Sequence, residues 1–199
     1  MRGCHPDSSA AVGYARGRLE NELPGWLRYH DLEHTAGLVV PAAELLAADL
    51  ALAPTDRDLL VTAAWFHDIG FVERYEDNEE VAIRMVREVL PTFDYSPDQV
   101  DAVAGAIWAT RVPQSPATPL AEVMCDADLF VLGTDRFFER NEALRDELEI
   151  VGTVFSDAQW LRSQIAFLES HRYFTAPAKR RNDTTKAANL AEVERRLED

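Results

Sequence analysis

Apolar residues recur along this chain at helical rather than strand spacing. From Asp31, which reads as an N-cap, to about Leu50, the residues His34, Leu38, Ala42 and Leu45 fall at intervals of four, four and three, one helical face. Thr55, with Asp58 three residues on, predicts the start of a helix that carries Leu60, Ala63, Ala64 and His67 and stops at Gly70. A helix from Asn78 to Leu90 ends before Pro91. Ser96-Pro97-Asp98-Gln99 combines an N-cap, a first-turn proline and a glutamine three residues after the cap. The helix that follows carries Val100, Val103 and Ile107 towards Arg111.

Further helices are expected over 7–20, 120–132, 134–149 and 156–170, with a terminal amphipathic helix through Leu190, Val193 and Leu197. Residues 176–185 read as a short linker, and Pro113, Pro116 and Pro119 mark the longest breaker-rich loop. No run alternates with period two. The expectation is an all-α chain with one main domain: a tail and first helix over 1–20, then a helical bundle over 21–199 with a C-terminal helical extension.

Composition narrows the partners. Among 199 residues, 20 Lys and Arg face 35 Asp and Glu, a net charge of −15. Such a surface disfavours nonspecific nucleic-acid binding and docking on an anionic membrane. No apolar stretch is long enough for a membrane span, and the first ten residues lack the apolar core of a signal peptide. A cytoplasmic protein is expected. Cys4 and Cys125 are too few for a disulfide framework; Cys4 reads as a tail thiol and Cys125 as a core residue.

The residues with chemistry are His34, the pair His67-Asp68, and Asp126 and Asp128. Imidazole and carboxylate together suit a divalent manganese, iron, cobalt, nickel or zinc ion. His34 and His67 lie on inward stripes, where an imidazole needs a partner or a ligand. A lone inward histidine is ordinarily a satisfied core residue; two of them, one at a helix C-terminus where partial negative charge suits a cation, strengthen the case for a metal beside the plainer reading of satisfied core residues. Periodicity barely separates Asp126 from Asp128.

Tyr29-His30-Asp31-Leu32-Glu33-His34-Thr35, Ala64-Trp65-Phe66-His67-Asp68-Ile69-Gly70-Phe71 and Cys125-Asp126-Ala127-Asp128-Leu129 resemble, in that order, the HD superfamily of metal-dependent phosphohydrolases. With the segments 109–116, 126–133 and 167–175, the likeness extends to a group of small stand-alone bacterial HD proteins and covers nearly everything after residue 20. It implies a single HD-domain helical bundle. It also implies a divalent metal, with magnesium added to the ions above, on His34, His67, Asp68 and a final aspartate. Asp128 is chosen because the family's last ligand resembles an Ala-Asp followed by an apolar helix. The implied activity is hydrolysis of a small phosphorylated molecule, a nucleotide being the leading case, with a homodimer left open.

Asn78-Glu79 stands where related proteins often carry His-Glu, which favours one metal over two. Asp68 is then both ligand and local base, and Glu79 or Glu80 is an acid/base candidate beside the plainer reading of a solvated helix face. Phosphate needs cations. Arg111 continues an inward stripe and is the first choice. Lys179, Arg180, Arg181 and Lys186 form the only dense basic stretch, either a solvated tail or a lid. His30 and His171 read equally as substrate contacts or as structural hydrogen bonds. The competing functions are a hydratase or oxygenase on the same scaffold, and a regulatory module that binds metal or nucleotide without turnover.

Overall fold

The computed structural model describes residues 6–198, so Cys4 lies outside the described residues. Within them the chain forms nine α-helices and no strand. Helix α1 (Ser8–Glu22) starts where Asp7 accepts the Ala10 N–H at 2.9 Å. Ala11, Ala15 and Leu19, four residues apart, are buried in the main core together with residues of α3. The boundary expected at residue 20 therefore falls inside a helix that belongs to the bundle.

The helix expected from Asp31 to Leu50 is divided. Glu33–Val39 is a π-helix and α2 is Val40–Asp49. Pro41 has no N–H to give, and its ring crowds the carbonyl of the residue four before it. The turn ahead of it opens to the wider form, a feature frequent at functional sites.

Helix α3 (Pro54–Phe66) begins on Pro54, with Ala53 rather than Thr55 at the cap, and His67 and Asp68 turn away at its end. Gly70 serves a close approach. A Cβ there would stand 1.9 Å from the carbonyl oxygen of Asn78, so only glycine lets the His67-Asp68 turn lie against the start of α4 (Asn78–Val89). Helix α5 (Pro97–Thr110) carries the Ser96/Gln99 capping box. Helix α6 (Pro119–Asp128) is capped by Thr118 and ends four residues before the expected Leu132; a 3₁₀ turn over Phe130–Gly133 follows.

The remaining helices are α7 (Phe137–Ile150), α8 (Asp157–Ser170, with a Ser156/Gln159 capping box) and α9 (Ala176–Glu198). Residues 176–185 are not a linker but the first part of α9. Ala178, Asn182, Lys186, Asn189 and Val193 form its buried stripe, at spacings of four, four, three and four. A Cβ at Gly133 would meet Asn182 Cβ at 2.4 Å, so this glycine lets α9 pack onto the 3₁₀ turn. Leu129, Leu132, Phe137, Leu168 and Val193 form a second, smaller core. Cys125 is fully buried, its Sγ donating to Ala109 O at 3.1 Å. Among the described residues no helix is long and apolar enough to cross a membrane.

Candidate metal centre and its cavity

Three helix ends meet in the interior. His34 comes from the start of the π-helix, His67 and Asp68 from the end of α3, and Asp128 is the last residue of α6. The C-terminal ends of α3 and α6 carry partial negative charge, which adds to the two carboxylates. The Nε2 atoms of His34 and His67 are 3.3 Å apart. Asp68 Oδ2 lies 3.4 Å from the first and 3.1 Å from the second. Asp128 Oδ1 lies 3.4 and 3.6 Å from the same two atoms.

These residues fit a divalent cation. Ligand atoms about 2.0–2.2 Å from a common ion stand roughly 2.9–3.6 Å from one another. His67 Nδ1 is 2.8 Å from Ala64 O; donation of its proton there leaves the Nε2 lone pair facing the centre. Asp68 Oδ2 is buried and accepts no hydrogen bond. Burial disfavours charge on His67, but Asp68 first and then Asp128 outweigh it and raise the ring to about 9. Burial likewise opposes ionisation of Asp68, yet His67 holds its carboxyl well below the usual range. Carboxylates that hold a proton so firmly on an imidazole are equally suited to hold a cation.

The two aspartates of α6 part company here. They are two residues apart, about 200° around a helix, and so face opposite ways. Asp126 is fully buried and accepts the N–H groups of Phe174 and Thr175, each at 2.8 Å, tying α6 to the strap before α9. Asp128 faces the histidines, with Gln114 Nε2 at 3.5 Å from its Oδ2.

Behind the centre, α7 holds the approach to His34. Glu147, fully buried, accepts the N–H groups of Arg28, Tyr29 and His30 on Oε2 at 2.8, 2.7 and 3.0 Å. Its Oε1 takes His30 Nδ1 at 2.5 Å and the Tyr75 hydroxyl at 3.2 Å. Burial raises the Glu147 carboxyl, but the His30 bond and the backbone N–H groups outweigh it and lower it to about 2. Burial likewise lowers the His30 ring, and Glu147 outweighs it. Seven residues earlier on the same face, Arg140 binds Tyr29 O and the Asp31 carboxylate. Sequence reasoning missed Glu147, Arg140 and Gln114. A buried Arg and Glu on a helix as charged as α7 leave no trace in periodicity.

A cavity of about 420 Å³ opens on Asp68 and Asp128. His30 and Glu79 line it too, Glu79 half-buried, while Glu80 is exposed and paired with Arg74. The expected phosphate contacts lie elsewhere. Arg111 leaves the inward stripe because α5 ends at Thr110, and its extended backbone swings the guanidinium outwards. It pairs with Asp77 at 2.7 Å over the half-exposed Trp108, and lines no part of this cavity. Lys186 is neither tail nor lid. It is buried in α9, donating to His171 O at 2.6 Å, with His171 Nδ1 3.2 Å away. Burial, then Lys186 and Arg172, lower the His171 ring to about 4, and neither residue lines this cavity. Lys179 binds Phe174 O and Arg181 binds Asp49, both on the surface.

A solved structure from an uncultured Thermotogales bacterium, described as a predicted HD superfamily hydrolase, is similar over 96% of this chain and 92% of its own, with a TM-score of 0.65 at 18% identity. At that identity the likeness is one of fold. No curated protein matches. The HD domain model matches residues 32–131, half of the chain, a stretch that contains His34, His67, Asp68 and Asp128 and ends before α7. With its histidines and aspartates gathered at three helix ends inside that stretch, the chain belongs to the HD-domain family.

Proposed function

We propose that the protein is a metal-dependent phosphohydrolase acting on a small phosphorylated molecule, with His34, His67, Asp68 and Asp128 holding one divalent ion. The observation that carries the reading is the meeting of two imidazole nitrogens, 3.3 Å apart, with one carboxylate oxygen of Asp68 and one of Asp128, each 3.1–3.6 Å from both nitrogens, beside a cavity of ligand size. A divalent ion bound there supplies a Lewis acid for a phosphoryl oxygen and lowers the pKa of water.

The side chains divide the remaining work. Asp68 is both ligand and local proton acceptor. His30 gives its Nδ1–H to Glu147, which favours the imidazolium and leaves Nε2–H as the donor to a phosphoryl oxygen. Glu79 lines the same cavity from the first turn of α4, which supports it as the group that exchanges a proton with the leaving oxygen. A nucleotide is one member of this substrate class.

Elemental analysis of the purified protein, followed by phosphate release from a panel of esters with several divalent ions, tests the reading. Bound metal and turnover are expected, with Asp68→Asn losing both and Glu79→Gln slowing kcat by about 10²–10⁴. Metal without turnover across the panel would instead indicate a binding module.

A further inference from the structure

The cavity beside the metal centre has a lining at odds with a polyphosphate. Its wall is built by Leu132, Phe137, Leu144, Leu148, Trp160 and Phe167, most of them on α7 and α8, outside the stretch that the HD model matches. Among the described residues its one guanidinium or ammonium is Arg140, 5% exposed and engaged by Asp31 and Tyr29 O, with its guanidinium over the Tyr29 ring; the His30 ring, held by Glu147, is the other basic group there. Asp68, Glu79 and Asp128 face the same space. With Asp68 and Asp128 given to the ion, a second or third phosphate would meet Glu79 and the apolar wall and no free guanidinium or ammonium, whereas transfer from a polyphosphate calls for several cations.

The polar groups on the far wall satisfy one another. Trp160 Nε1 donates to Asn141 Oδ1 at 2.9 Å, Asn141 Nδ2 to Gln164 Oε1 at 2.5 Å, and Gln164 Nε2 to Ser163 Oγ at 3.4 Å. Little remains there for the edge of a nucleobase. The volume, about 420 Å³, is that of a small-ligand site. Resting on the phosphohydrolase reading above, we infer that the substrate carries a single phosphoryl group on an apolar, preferably aromatic, body that fills the space between α7 and α8, and that nucleoside polyphosphates are excluded.

The test compares 1-naphthyl phosphate, glycerol 2-phosphate, AMP and ATP on the purified protein. It also titrates 1-naphthol, which has no phosphate, by quenching of tryptophan fluorescence. kcat/KM for 1-naphthyl phosphate should exceed that for glycerol 2-phosphate and AMP at least 10-fold, with ATP slower still, and naphthol should quench saturably. Leu144 is half-buried on α7, so Leu144→Gln leaves the core intact; it should cut naphthyl phosphate kcat/KM at least 10-fold and weaken naphthol binding as much, while Leu144→Met keeps both. Faster turnover of ATP than of naphthyl phosphate overturns the inference and leaves the phosphohydrolase reading standing. Equal rates on all esters with no naphthol binding also overturn it. Saturable naphthol binding with no phosphate release from any ester upholds the apolar body of the ligand and overturns the hydrolase reading and, with it, the phosphoryl group.

Discussion

Arg140 grips the carboxylate of Asp31, with Nη2 to Oδ1 at 3.0 Å and Nη1 to Oδ2 at 3.4 Å, and that same Oδ1 accepts the His34 N–H at 2.8 Å. A helix outside the stretch matched by the family model thus fixes the first turn of the segment that carries His34 of the candidate metal centre. Arg140→Leu should leave Asp31 and Tyr29 O short of a donor and lower stability by about 2–3 kcal/mol. Metal affinity should fall about 10–100-fold, the scale for groups that orient ligands. Denaturant unfolding and a chelator competition read the two effects; unchanged affinity would separate Arg140 from the site.

Glu147 predicts an acid limb in stability. Its carboxyl is held at about 2, against about 4.3 in an unfolded chain. A lowered folded pKa gives stability that is complete above about 4.3 and is lost as pH falls towards 2. His30, raised by the same partner, adds stability that is complete below about 6.5 and is lost at higher pH. Glu147→Gln should remove on the order of 2 kcal/mol near pH 5 and flatten the slope between pH 4.3 and 2. Unfolding midpoints measured across that range check it; parallel curves for the two proteins would refute it.

The metal centre is tested by separating the two aspartates of α6. His67→Ala and Asp128→Asn should abolish or strongly reduce metal content per folded chain. Asp126→Ala should keep the metal but cost about 2–4 kcal/mol of stability, because the N–H groups of Phe174 and Thr175 lose their acceptor. Elemental analysis alongside thermal unfolding distinguishes them, and metal loss in Asp126→Ala at full stability would reverse the assignment.

Arg111 should matter little. Its pair with Asp77 is about half exposed on both sides, the kind worth roughly 0.2–1 kcal/mol. Arg111→Ala should leave metal content unchanged and kcat/KM within about twofold. A 10-fold loss of kcat/KM at constant metal would place the guanidinium on the substrate after all.

Local chemistry was legible in the chain itself. The Ser96/Gln99 box and the stripes through Ala64 and His67 depend only on residues three or four apart, so they hold in any helical environment. The order His34, His67-Asp68, Asp128 likewise lies in the one-dimensional text. What tertiary structure alone decided are relations with no sequence spacing. Asp126 and Asp128 have nearly equal claims on the helical stripe, and only the arrival of Phe174 and Thr175 at the first separates them. Arg111 continues a stripe on paper, yet α5 stops one residue short of it and frees it to reach Asp77. Lys186 reads as part of a basic surface run until α9 packs down and buries it against His171. Glu147 reaches His30 across 117 positions. A charged side chain on a polar helix is silent about burial, because its worth is set by which partner folding brings to it.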